Sequence, residues 1–351
     1  MQSVLNFLQP LEPFIPQIIL GVILISLVLY IVLDGFDLGV GILTLFERDD
    51  EHKEEMMESI ATVWDGNESW LVLMAAALFA GFPLAFGIVL PALYVPLILM
   101  LVALVFRGVA FEFQEQHEGY DWRWGLSFSL GSLIATLTQG VALGAFLEGF
   151  TTSGGNFTGG AFEFLTPFSL LTGLLLTTLY ALSGAGWLAY KTSGELLHSS
   201  RRLGQGFSVA TVFLLAAVVV SLLTNIGPAA LTQPNSPIQA TILTGSLIFA
   251  ILAVVGSSLL LQNRDDPFPL LLNSLAMVAL VCGFAAATYP FVVPPQITLV
   301  EAAAPTSSAA LLLAFVVPLI PVTVAYNGIA YWVFRGKTPH SQELTNRETG
   351  G

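Results

Sequence analysis

Four carboxylates stand where an apolar chain has little reason to carry them. Asp34, Asp37, Asp65 and Glu68 each fall inside a long hydrophobic stretch. A charge at the centre of a bilayer costs at least about 2.5–3.5 kcal/mol on insertion scales, so intramembrane acids call for a functional explanation. Asp34 and Asp37 are three residues apart, as are Asp65 and Glu68, so each pair shares one helix face. Asn67 sets an amide beside the second pair. Carboxylates crowded in a low dielectric cannot all ionise, and a group that changes protonation near neutral pH can take up and hand on protons. Blander roles stay open: Asp34 as an acceptor for its neighbours, and Glu68 as the partner of a basic residue in another subunit. Arg107 could neutralise one carboxylate or snorkel to the headgroups.

The elements that must position these groups follow from composition. The chain has 351 residues, 55% of them hydrophobic and only 10% charged, with a mean hydropathy of +0.80. A soluble domain carries roughly 25% charged residues, and disorder needs low hydrophobicity. Cys282 is alone, so no intrachain disulfide frames the fold. The remaining class is an all-α integral membrane protein. Nine stretches reach the 20 or so residues that span a bilayer: 15–46, 56–81, 84–111, 124–147, 168–190, 207–226, 238–262, 268–293 and 309–334. They are continuous rather than alternating, which excludes a β-barrel. No basic region with a short apolar core and cleavage site opens the chain, so no removed signal peptide is expected.

All 11 basic residues fall on one side of a nine-helix path. Arg48 and Lys53 lie in the first loop, Arg107 and Arg123 about the third, Lys191, Arg201 and Arg202 in the fifth, and Arg264 in the seventh. Arg335, Lys337 and Arg347 follow the last helix. The positive-inside rule then puts the N-terminus outside and the C-terminus in the cytoplasm. An acidic run from Glu47 to Glu58 reads as a solvated loop. The first two helices, joined by a short loop, are expected to be antiparallel neighbours. Asp37 and Asp65 would then lie about 14 Å from the cytoplasmic helix ends, facing each other. Gly35, Gly39 and Gly41 would let the helix backbones approach closely.

His52, His117, His198 and His340 all lie in cytoplasmic loops or the tail. A buried haem takes a His, Met or Cys ligand, but Met74, Met100, Met277 and Cys282 are scattered over four helices and read as packing. There is no nucleotide-binding glycine loop, no Ser-His-Asp order and no metal-ligand spacing, and no nucleic-acid partner is expected.

The run Leu33-Asp34-Gly35-Phe36-Asp37-Leu38-Gly39-Val40-Gly41 and the run Trp64-Asp65-Gly66-Asn67-Glu68-Ser69-Trp70-Leu71 together resemble the signature of subunit II of the cytochrome bd quinol oxidases. Phe106-Arg107 and the late Tyr289-Pro290-Phe291 are similar to further elements of that family. The resemblance covers essentially the whole chain. It implies two four-helix bundles plus one peripheral helix, in a prokaryotic inner membrane. It implies a partner, subunit I, that holds the quinol site, two b-type haems and one d haem, while this chain ligates no cofactor. It also implies a proton route from the cytoplasm past the WDGN acid, here Asp65, with Asp37 nearby. Some relatives carry a structural quinone in subunit II, and a small single-helix accessory subunit can join the complex. Some have His before the Trp and Gln after the Asn of WDGN, where this chain has Val63 and Glu68. Two other readings of the residues are a proton-coupled secondary transporter, although no second-half acid motif supports it, and a pure assembly scaffold.

Overall fold

The computed structural model describes residues 9–114, 116–117 and 119–338; His340 and Arg347 of the tail lie outside the described residues. After a 3-10 turn, α1 (Ile15–Thr44) descends through the molecule, and a short polar α2 (Asp50–Glu58) follows it. Next come α3 (Trp64–Gly81), α4 (Pro83–Ala92), α5 (Tyr94–Gln114) and α6 (Trp122–Glu148). A hairpin of β1 (Thr152–Ser153) and β2 (Asn156–Phe157) leads to α7 (Pro167–Lys191) and α8 (Gly194–Leu223). The chain continues through a short α9 (Ala229–Thr232), α10 (Pro237–Asn263) and α11 (Phe268–Thr288). A second hairpin, β3 (Phe291–Val293) with β4 (Ile297–Thr298), and the short α12 (Leu299–Ala302) precede α13 (Thr306–Val333).

Eight helices among the described residues are long and apolar enough to cross a membrane: α1, α5, α6, α7, α8, α10, α11 and α13. The chain is a multi-pass membrane protein. The expected second crossing corresponds to α3, whose first turns are made polar by Asp65, Asn67 and Glu68.

Two expected helices are broken. The stretch 56–81 is not continuous: α2 ends at Glu58, and α3 starts only at Trp64, after Val63 leaves helical geometry at φ −127° and ψ −23°. Ser59, Ile60 and Val63 in that turn are buried. The amphipathic α2, with Met56 and Met57 buried, thus ends in a buried turn before the chain turns into α3. The stretch 84–111 is split at Leu93 into α4 and α5. Pro91 lies in the last turn of α4 and Pro96 in the first turn of α5, where a missing N–H is tolerated. The eighth stretch ends at Thr288 rather than Val293, because the following prolines lead into β3.

Helix α1 is central and packs against α3, α6 and α7. α7 carries α8 and α11, and α10 pairs with α11. One large apolar cluster fills this interior; a second joins the start of α1 to α4, the hairpins and α13. Helix α13 touches α3 and α1 and leaves most of its length exposed.

Candidate functional site

Helix α1 buries a polar face. Tyr30, Asp34 and Asp37 recur at helical spacing and are essentially unexposed. Close backbone contact holds α1 there. A Cβ added to Gly39 would lie 1.8 Å from the Tyr180 carbonyl oxygen of α7, and one on Gly41 would lie 2.1 Å from Ser132 Oγ of α6. Only glycine allows α1 to come so near both neighbours.

The other walls come from α3 and α5. Arg107, with no solvent exposure, donates from Nη1 to Glu68 Oε1 at 2.6 Å and to Asp34 Oδ1 at 3.3 Å. Its guanidinium lies 5.7 Å from the centre of the Trp64 ring, which stacks on Phe111 at 5.1 Å. Asn67 Nδ2 donates to Asp37 Oδ2 at 2.6 Å and to the Leu33 carbonyl at 3.3 Å. The Tyr331 hydroxyl donates to Asn67 Oδ1 at 3.0 Å. On the other side of Asp34 along α1, Gln139 donates to the Tyr30 hydroxyl at 2.6 Å.

Charge does not balance inside this cluster. Asp34, Asp37 and Glu68 face a single guanidinium, so full ionisation would leave two uncompensated negative charges. The desolvation penalty for such charges is several kcal/mol each. Asp34 Oδ2, Asp37 Oδ1 and Arg107 Nε and Nη2 are buried without a partner. A cluster so arranged can bind protons to complete its charge and hydrogen-bond balance.

A family model described as "Cytochrome bd terminal oxidase subunit II" matches residues 15–334. The chain belongs to this family. It is 28% identical to cytochrome bd-I ubiquinol oxidase subunit 2 of Escherichia coli K12, over 92% of this chain and 94% of that protein. It is 24% identical to cytochrome bd ubiquinol oxidase subunit 2 of Bacillus subtilis, over 89% and 94% of the two chains. The fold is similar to a chain in the structure of bd oxidase from Geobacillus thermodenitrificans, with a TM-score of 0.72 at 16% identity, covering 92% of this chain and 98% of that one.

Within this family member the signature residues separate into two groups. Asp34, Asp37, Glu68, Asn67 and Arg107 converge. Asp65 does not: it is exposed on the outward side of the first turn of α3, and Asn67 takes the place opposite Asp37 that Asp65 was expected to hold. The cause is the turn at Ser59–Val63, which resets the helical phase and puts Asp65 one residue into α3 rather than nine residues along a continuous helix. Arg107 sits in the interior and not at the headgroups, so it leaves the set of loop cations. Gly66 faces Asn327 of α13, whose Oδ1 would lie 3.3 Å from an added Cβ, and Trp70 is buried.

Tyr331, Tyr30 and Gln139 were not found from sequence. Tyr30 stands four residues before Asp34 and could have been read from helical spacing. Nothing local points to Tyr331. Among the described residues, no group of three or more His, Cys, Asp or Glu could hold a metal ion. Met100 and Met277 pack in the main apolar cluster, and Cys282 is exposed.

Proposed function

We propose that this chain is the haem-free subunit II of a cytochrome bd-type quinol:oxygen oxidoreductase in a prokaryotic inner membrane. It scaffolds subunit I and carries protons from the cytoplasm toward the oxygen-reducing site. The haems, two b-type and one d, belong to subunit I and supply electron transfer and oxygen binding. A structural quinone and a small single-helix accessory subunit are compatible additions. Nine crossings with the N-terminus outside follow from counting α3 as the second crossing. The described loop cations other than Arg107 still support that orientation. Two four-helix groups, α1/α3/α5/α6 and α7/α8/α10/α11, with α13 peripheral, fit the observed packing.

The observation that carries the proton reading is one buried guanidinium shared by the buried Asp34 and the half-buried Glu68, with the buried Asp37 alongside. Asp37 lies seven residues from the end of α1, about 10 Å along the axis, and takes protons from the cytoplasmic side. Asp34 sits one turn deeper, bound to Arg107. Asp65, exposed in the first turn of α3, stands with Asp37 on the cytoplasmic side, and Glu68, with its side chain 25% exposed, forms the exit toward subunit I. Taking protons from inside while quinol releases protons outside builds a membrane potential without a pump.

Asp65→Asn and Asp37→Asn in the purified two-subunit complex test this. Each is expected to slow quinol-driven oxygen consumption while the haem spectrum stays near normal. Parental turnover in both variants would remove proton conduction and leave an assembly scaffold.

A further inference from the structure

The acid cluster receives one polar group from the otherwise exposed helix α13. Tyr331 comes within hydrogen-bond distance of Asn67, whose amide holds Asp37. The amide is fully committed. Leu33 offers a carbonyl, which can only accept, so the NH2 end of Asn67 must face it, and Asp37 Oδ2 accepts from the same nitrogen. Oxygen and nitrogen of an amide differ only in the hydrogens they carry, so partners decide its orientation. The Tyr331 hydroxyl is the donor that Oδ1 requires; Asn67 is 1% exposed, and without that donor its oxygen would be buried and unpaired.

The hydroxyl is itself held in place. The Tyr331 ring meets Phe36 edge-on at 6.3 Å and Trp187 at 6.1 Å, while Phe36 and Trp187 stack at 4.3 Å. Just beyond, Lys337 Nζ donates to the Thr192 carbonyl at 2.7 Å, and Lys191 Nζ donates to the Gly336 carbonyl at 2.9 Å. Helix α13 is therefore fastened at the end that carries Tyr331.

We propose that Tyr331 is a positioning residue for proton transfer. By fixing the orientation of Asn67, it presents an N–H to Asp37 that stabilises the carboxylate left when the proton moves onward. The charged and titratable groups facing Asp37 are Asp34 on α1, Glu68 on α3, Arg107 on α5 and Tyr331 itself on α13. The inference rests on the proton-route reading.

The test is a double-mutant cycle in the purified two-subunit complex, with Tyr331→Phe, Asp37→Asn and the double variant. Quinol-driven oxygen consumption is followed from pH 5.5 to 9, alongside haem content. Tyr331→Phe is expected to lower turnover about fivefold, the equivalent of about 1 kcal/mol for one neutral hydrogen bond, and to move the pH profile at normal haem content. In the Asp37→Asn background the same substitution is expected to add nothing, because residues acting through one another are non-additive. Multiplicative losses, a parental pH profile in Tyr331→Phe, or failure of that variant to assemble would each overturn the inference and leave the hydroxyl a packing role. If Asp37→Asn itself keeps parental turnover, Asp37 leaves the route and the inference falls with it; if Asp65→Asn does so too, the proton-route reading fails.

Discussion

Arg107 reaches from α5 to Glu68 on α3 at 2.6 Å, and the same Nη1 lies 3.3 Å from Asp34 on α1. One side chain thus ties together three helices, α1, α3 and α5. Arg107→Met removes the only cation among the described residues that faces Asp34, whose side chain has no exposure. Breaking a buried pair from one side costs about 3–5 kcal/mol, so the yield of assembled protein and its Tm in detergent should fall sharply. Arg107→Met with Asp34→Asn should recover part of the loss, because the second change removes the stranded charge. No recovery would place the stabilisation in the guanidinium's packing against Trp64.

Gly39 lies where α1 and α7 pack backbone to backbone. A Cβ there would meet the Tyr180 carbonyl carbon at 2.6 Å and the Gly184 nitrogen at 2.8 Å. These are backbone atoms, so only a helix displacement can make room. Gly39→Ala is expected to cost on the order of 1–3 kcal/mol or more through overpacking and to reduce assembled protein. Gly87→Ala, where nothing lies within 4 Å of the added carbon, serves as the control and should leave yield and Tm unchanged.

The polar helix α2 carries its own pH dependence. Burial, and then the charges of Glu54 and Glu55, raise the Glu58 carboxyl above its usual range; burial, and then Glu51, raise Glu54. A raised carboxyl binds more protons folded than unfolded, so stability is greatest below the usual carboxylate value and falls as pH rises through the raised one. Glu47 runs the opposite way. Despite some desolvation, hydrogen bonds from the Asp49 and Arg48 backbone and from Ser199 hold it below its usual range, so its contribution is lost as pH falls. Glu58→Gln is therefore expected to slow hydrogen exchange in residues 50–58 at pH 7.5, by a few tenths of a kcal/mol after solvent screening. The difference should vanish at pH 4. An equal effect at both pH values would assign it to something other than charge.

The sequence exposed the acids because a carboxylate among many apolar residues stands out by position alone. Asp34 and Asp37 share a buried face of an unbroken α1, as their spacing indicates. Asp65 is not, because a five-residue turn at Ser59–Val63 resets the helical phase, and periodicity carries no phase across a break. Arg107 was ambiguous for a related reason. Its depth depends on where α5 begins, and the Pro91/Pro96 pair moved that point. Tyr331 lies 264 residues from Asn67, and Gly39 meets Gly184 only in the packed structure. Such pairings leave no local pattern in the chain.

The fastening of α13 can be tested apart from proton transfer. Lys191, at the end of α7, is nearly buried and donates to the carbonyls of Phe334 and Gly336; the Tyr190 hydroxyl donates to the Arg335 carbonyl at 2.8 Å. These bonds close the last turn of a helix whose other contacts are sparse, so local opening there should depend on them. Lys191→Met keeps the aliphatic stem and removes the charged donor. Hydrogen bonds to charged groups contribute about 1.5–3 kcal/mol, which corresponds to a tenfold to hundredfold faster amide exchange over residues 330–338. Lys53→Met, which removes the surface pair with the 65%-exposed Asp50, should change exchange in α2 by less than about 1 kcal/mol and leave residues 330–338 as they are. If Lys191→Met leaves that exchange unaltered, the aromatic contacts of Tyr331 with Phe36 and Trp187 hold the helix end, and Lys191 is dispensable to it.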